Sequence, residues 1–282
     1  MKTILNLSDI AITIFEQDKF DKTIRQMDAL KKDLDEIYLG SYFCEKYFLH
    51  IGDDIFSKVK DLCRLRGIKL SLVIPMASEK DLQRVKDRID YVVELLSSHI
   101  SSLVINDFGM LEYVSQRYSF PITLGRLLYK QSRDIRYEVF RDGAFTCEVC
   151  SAQFHQLIKD YPIKAIELDD IRANTVIENK FGYGVYVHSP LVYSSTGMVC
   201  EYASAGVPNT KRFRPNSPCA HQCSKYCTSY VGVNQKQYFK LGRTVYYPGD
   251  MRAAMAENVD KEIYFPFESV RESYENISSV KQ

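Results

Sequence analysis

The sequence predicts an α/β fold, a parallel (β/α) TIM-barrel-like domain, complete or incomplete, with a cysteine-bearing C-terminal appendage. Three observations lead there. Over the first two-thirds of the chain, short apolar runs alternate with longer stretches of helical periodicity. A repeated strand–helix order needs a crossover at each step, which sets the strands parallel and covers the sheet with helices. After Cys200 the alternation stops, and turn residues and cysteines take over. About seven strand–helix units in roughly 190 residues suit a barrel. An open doubly wound sheet stays as the alternative, weakened because no Gly-rich dinucleotide fingerprint follows the first apolar run.

Met1–Leu7 reads as the first strand. Asp21–Leu34 sets Ile24, Met27, Leu30 and Leu34 on one helical face, and Glu36–Leu39 reads as the next strand, stopped by Gly40. Ile55–Leu65 is helical up to Gly67, and Lys69–Ile74 is a strand closed by Pro75. Leu82–Leu96 carries the strongest amphipathic stripe, made of Leu82, Val85, Ile89, Val92, Val93 and Leu96. Ser102–Ile105, Ile122–Leu124, Ala165–Leu168 and Val185–Val187 continue the strands, with helices at Leu111–Arg117 and Ala152–Lys159. Glu201–Ser217, with Gly206, Pro208 and Pro215, reads as loop. Tyr238–Leu241 and Thr244–Tyr247 flank Gly242 as a hairpin, Lys261–Phe265 reads as one more strand, and Glu268–Ser278 as a closing helix. The expected division is a barrel domain over 1–198 and a cysteine-rich appendage over 199–282, packed on it.

Charge and composition exclude some classes. The 282 residues carry 37 Lys and Arg against 36 Asp and Glu, a net charge of +1, so no basic field announces nucleic-acid binding. Met1–Asp9 lacks the apolar run and small-residue site of a leader, and no stretch reaches the ~18 apolar residues of a membrane span. A cytoplasmic protein is expected.

The chemistry concentrates in cysteine. Three of the eight cysteines fall in Cys219-Ala220-His221-Gln222-Cys223-Ser224-Lys225-Tyr226-Cys227, shortly after Cys200. A chain this long does not depend on disulfide staples, so clustered thiols point to metal or cluster ligation. In a parallel barrel, the loops after the strands share one face, where sites are built. The residues just past each expected strand are Gly40 with Cys44, Asn106 with Asp107, Gly125 with Arg126, Glu167 with Asp169, and His188. Cys44 thus stands on the rim from which the segment after His188 departs, so Cys44, Cys200, Cys219 and Cys223 can converge. Four thiolates suit a [4Fe-4S] cluster or tetrahedral zinc. The irregular, loop-borne spacing favours the cluster, since zinc knuckles usually use Cys-x2-Cys. Cys227 competes as the fourth ligand. The run departs in spacing and position from the Cys-x3-Cys-x2-Cys of radical SAM enzymes, and that reading is rejected.

Other residues carry weaker signals. Cys147 and Cys150 have redox-pair spacing, read against two small residues near a helix start; Cys63 sits on an apolar helical face and reads as core. Glu167 and His188 are the candidate catalytic residues, moving protons. Arg126, with Asn106 on the same rim, is the candidate substrate-binding residue, its guanidinium taking an anion. Lys130, Arg133 and Arg136 follow it on a basic face. His221, between two candidate ligands, could tune or replace one, whereas His50, His99 and His155 read as structural. No His-Glu-x-x-His and no Gly-x-Ser-x-Gly hydrolase signature occurs.

Ile37-Tyr38-Leu39-Gly40 with Cys44 and Lys46, Val104-Ile105-Asn106-Asp107-Phe108-Gly109, Leu124-Gly125-Arg126-Leu127-Leu128 and Ile166-Glu167-Leu168 resemble segments of the peptidase U32 family. So does the stretch from His188 to Cys200, with Pro190-Leu191-Val192-Tyr193-Ser194. The chain is most similar to the short UbiU/UbiV-type branch of oxygen-independent ubiquinone synthesis, especially its UbiV-like side, over most of its length from Ile37 to Cys223. The resemblance implies a barrel-like N-terminal region and a [4Fe-4S] cluster on Cys44, Cys200, Cys219 and Cys223. It also implies a small-molecule substrate, a paralogous partner subunit in a heterodimer, and an oxygen-independent hydroxylation with prephenate as oxygen source. Some members carry a peptidase name and others act on RNA bases. The intervals from His188 to Cys200 and from Cys200 to Cys219 are longer than the family pattern, and Cys147 and Cys150 fall in an insertion. Two alternatives remain: a peptidase or other hydrolase, as the family name implies, and a non-enzymatic zinc-binding or assembly protein.

Overall fold

The computed structural model describes every residue except 17–18, 130–145, 170–174, 206, 216, 233–234, 251–255, 273–275 and 280–282. The strands are β1 Lys2–Ser8, β2 Asp33–Gly40, β3 Lys69–Ile74, β4 Ile100–Ile105, β5 Ile122–Leu124, β6 Thr146–Glu148, β7 Ile163–Leu168 and β8 Val176–Glu178. They continue as β9 Gly184–Ser189, β10 Leu191–Thr196, β11 Tyr226–Val231, β12 Gln237–Leu241, β13 Thr244–Pro248, β14 Lys261–Tyr264 and β15 Asn276–Ser279. The helices are α1 Thr13–Glu16, α2 Phe20–Ala29, α3 Glu45–His50, α4 Asp53–Arg66, α5 Leu82–Leu96, α6 Phe108–Arg117, α7 Ala152–Ile158 and α8 Phe267–Arg271.

Eight parallel strands close a barrel in the order β1–β14–β9–β7–β5–β4–β3–β2. The expected (β/α) barrel is therefore present and closed. Its last strand comes from an unexpected place. Lys261 and Ile263 of β14 pair with Lys2 and Ile4 on one side and with Tyr186 and His188 on the other. The division at 198 is thus corrected: the C-terminal part supplies a barrel strand, because β1 and β9 would otherwise leave open edges. Between β9 and β14 the chain builds four antiparallel strands of a second sheet, ordered β10–β13–β12–β11, and β15, which follows β14, joins its edge parallel to β11. A small parallel pair, β6 with β8, lies apart from both.

The strong helical stripe behaves as read: α5 buries Val85, Ile89, Val92, Val93 and Leu96. Gly67 ends α4 in the left-handed region, at φ 65°. Two expected helices are shorter. The helix read over Asp21–Leu34 stops at Ala29, Lys31 turns to φ 54°, and Leu34 lies in β2. Leu34 fits the helical period and the following strand equally well, and β1 claims it by pairing with Thr3. The helix read over Glu268–Ser278 is one short turn, α8, followed by β15, which pairs with β11.

Barrel interiors of this type are usually filled by branched apolar side chains. Here polar side chains bond to one another between strands. Ser71 donates to Glu36 and meets Ser102 at 2.6 Å, while Lys261 reaches Glu36 at 2.7 Å. Gly40 is demanded by this close packing: its φ is 138°, and a Cβ there would sit 2.1 Å from the Val73 carbonyl oxygen. No helix among the described residues is long and apolar enough to cross a membrane.

Candidate functional site: a four-cysteine cavity beside a buried polar rim

Cys44 sits in the loop between β2 and α3, which half-buried Asp9 and buried Arg243 hold in place. Asp9, just past β1 with φ 53°, accepts from the backbone N–H of Tyr42 at 3.0 Å, from that of Phe43 at 3.5 Å, and from the Ser41 hydroxyl. Ser41 also takes the Cys44 N–H at 3.0 Å. From the opposite side, Arg243 at the β12–β13 turn donates through Nε to the Phe43 carbonyl at 2.6 Å and through Nη2 to Glu45 at 2.8 Å. The remaining cysteines come from the segment between β10 and β11. The Ser204 hydroxyl donates to the Cys200 carbonyl at 3.2 Å, and Lys46 donates to the Ser217 carbonyl. His221, at φ 55°, turns the chain so that its N–H points at Cys219 Sγ, 3.4 Å away, and Cys223 follows in a turn of 3-10 helix.

Cys44, Cys200, Cys219 and Cys223 line one cavity together with Asp9, Arg243 and Lys46. Burial raises the Cys44 thiol to about 12, opposed by Arg243. Burial also raises Cys219 and Cys223, and for Cys223 the other three thiols add to the rise. The four cysteines share one space, but among the described residues no three His, Cys, Asp or Glu side chains form a group able to hold a metal ion. Cys227 lies in β11, buried, and is not among the lining residues; burial raises it to about 11.

The other expected site residues form a separate, fully buried network at the barrel rim. Tyr42 donates to Glu167 at 3.0 Å, His188 Nε2 stands 2.9 Å from the same carboxylate, and the Arg126 N–H donates to it at 3.2 Å. Burial lowers the His188 pKa, Arg126 lowers it further, and Glu167 opposes both. A neutral ring that donates Nε2–H to Glu167 keeps Nδ1 as an acceptor, and Nδ1 has no partner among the described residues. Asn106 donates to the Ile74 carbonyl at 3.1 Å, while its Oδ1 likewise lacks a partner. That oxygen lies 2.2 Å from where a Cβ on Gly125 would stand, so Asn106 requires the glycine.

Arg126 differs from the anion clamp read from sequence. Its Nε and Nη2 are taken by Asp169, and its guanidinium lies 5.1 Å from the Tyr193 ring centroid and 5.8–5.9 Å from those of Tyr42, Phe43 and Tyr246. A buried charge needs such a partner, and Asp169 has already supplied it. None of Arg126, Asn106, Glu167 and His188 lines the cysteine cavity. The two sites touch through loop 41–44, which carries both Tyr42 and Cys44, and through Phe43 and Tyr246, which line the cavity and flank Arg126.

Cys63 is buried on α4 as core. Cys147 lies in β6 and Cys150 two residues before α7, so the strand–Cys-x2-Cys–helix order is present, on a two-stranded sheet. Lys130, Arg133 and Arg136 lie outside the described residues. His221 stacks on His50 at 3.5 Å, and His155 bonds to Tyr183 at 2.9 Å. Sequence reasoning missed Asp9 and Arg243. Asp9 obeys the rim rule, standing directly after the first strand, whereas nothing in Gly242-Arg243 signals a reach back to residue 43. No protein-family model, curated protein or solved structure matches this chain.

Proposed function

We propose that this chain is an iron–sulfur protein that holds a [4Fe-4S] cluster on Cys44, Cys200, Cys219 and Cys223 and serves an oxygen-independent hydroxylation or related redox reaction. The observation that carries this reading is the shared cavity: one thiol from the barrel rim and three from a segment far along the chain line the same space. Four thiols on one cavity suit a [4Fe-4S] cluster or a tetrahedral zinc ion, and the irregular, loop-borne sequence spacing favours the cluster. The His221 N–H directed at Cys219 Sγ is the kind of hydrogen bond that tunes a cluster's potential. When bound, the cluster would supply one-electron chemistry. The chain's own part is to keep the thiols together, to exclude water with Phe43 and Tyr246, and to hold a proton on the Glu167–His188 pair. Buried polar atoms ordinarily find partners. Nδ1 of His188 and Oδ1 of Asn106, without partners among the described residues, therefore support a polar small-molecule substrate reaching the rim, with Arg126 positioning Tyr42 and Glu167. The hydroxylation chemistry and a paralogous partner subunit rest on the sequence resemblance to the UbiU/UbiV-type branch of the peptidase U32 family.

Anaerobic purification followed by iron, sulfide and zinc analysis tests the reading. Roughly four irons per chain and broad absorbance near ~400 nm are expected. Cys→Ser at 44, 200, 219 or 223 should each lower iron content, while Cys227→Ser should leave it at the wild-type level. Stoichiometric zinc with iron refused on reconstitution would overturn the proposal in favour of a structural zinc protein.

A further inference from the structure

The four thiols belong to two parts of the fold, so something must hold Cys44 of the barrel against the segment that carries the other three. Arg243 occupies that junction. It sits on the β12–β13 turn of the second sheet, is 7 % exposed, and lines the cavity. Its guanidinium crosses to the barrel, where it caps the Phe43 carbonyl next to Cys44 and pairs with Glu45, the residue after it. Glu45 is 1 % exposed, so both charges are out of water and depend on each other. The preceding Gly242 packs toward the other part of the site: a Cβ there would stand 4.0 Å from Cys223 Cβ. One turn thus contacts the Cys44 loop and neighbours Cys223. Among the basic residues lining the cavity, Arg243 is the buried one; Lys46 is half-buried and Arg214 exposed.

We propose that Arg243 is the positioning residue of the cysteine site: it clamps the Cys44 loop against the second sheet and offsets the buried Glu45 carboxylate beside whatever anionic group the thiols hold. The charge half of this inference rests on the iron–sulfur reading; the clamp half does not. A cluster ligated by four thiolates is net negative, and reduction adds another negative charge. With Arg243 in place the Glu45 charge is balanced; without it an unpaired buried carboxylate would stand beside the cluster and disfavour the reduced state, because a low-dielectric cavity screens the repulsion weakly.

The test uses full-length wild type, Arg243→Gln and Arg243→Lys. In the metal-free protein, alkylation of individual cysteines is followed by peptide mass mapping. Losing a charge-assisted hydrogen bond to the loop should raise the rate at Cys44 about tenfold in Arg243→Gln, with Cys63 and Cys147 unchanged as internal controls for folding. An unchanged Cys44 rate, or an equal rise at all three cysteines, overturns the clamp. In reconstituted protein, the midpoint potential of Arg243→Gln should fall below wild type, with Arg243→Lys closer to wild type because it keeps the charge. Equal potentials in all three overturn the charge role. Wild type that takes up no iron overturns the cluster reading and the charge role with it, and the alkylation rates then decide the clamp by themselves.

Discussion

At the scale of single residues, His188 and Gly125 make the sharpest claims. Burial, and then Arg126, hold the His188 ring below its ordinary range against the pull of Glu167. In the unfolded chain the same ring titrates near ~6.5. As pH falls through that value the unfolded state takes up a proton that the folded state refuses, so stability declines. His188→Asn should flatten urea-unfolding stability between pH ~7 and ~5 relative to wild type; a slope equal to wild type would mean that the ring takes up its proton at the same pH in the folded and unfolded chain. Gly125→Ala would place a methyl against Asn106 Oδ1 and should lower stability by about 1–3 kcal/mol, read as a lower thermal midpoint. The sequence marked Gly125, Asn106, Glu167 and His188 as a group because each stands at or just past a strand. It could not mark how Arg126 is used, since a guanidinium looks the same whether it awaits an anion or is already paired. Asp169, two residues after Glu167, takes that role.

At the scale of elements, long periodic segments were legible throughout, whereas short ones were legible only where an apolar run set them off, as in β5 at Ile122–Leu124. The α5 stripe fixes its helix unambiguously, and Ile89→Ala should cost about 2–5 kcal/mol in chemical denaturation by opening a cavity in a fully buried face. Strands of three residues such as β6 and β8, and the β10–β13 pairing, carry no period long enough to read. β2 gives an electrostatic test. Burial alone would raise the Asp35 pKa, but hydrogen bonds from Lys261 and Lys2 outweigh it and hold it at about 2, against 3.8 normally. A carboxylate depressed in the fold stabilises it above its unfolded pKa, and that contribution fades as pH drops toward the folded value. Asp35→Asn should therefore be less stable than wild type at pH ~6 and converge on it near pH ~2; a gap that stays constant with pH would refute the ion-pair account.

At the scale of the whole molecule, the barrel is one cooperative unit that borrows its closing strand from the far end of the chain. A truncation keeping residues 1–198 should therefore fail to reach the native state, because β1 and β9 lose β14 between them. Far-ultraviolet circular dichroism should give no cooperative thermal transition for it, whereas a transition like that of the full chain would restore the division at 198. Local pattern was enough for parallel strands with covering helices, which alternating apolar runs and amphipathic stripes demand, but it left a barrel and an open sheet both standing. Pattern also set four cysteines apart as candidates, because the loops after parallel strands must share a face. Tertiary structure alone decided that β14 closes the ring, that Asp169 neutralises Arg126, and that Arg243 reaches back to the Cys44 loop. Each of these joins residues remote in sequence, and such pairings are set by strand register and by the need of buried charges and backbone groups for partners, which no local period encodes.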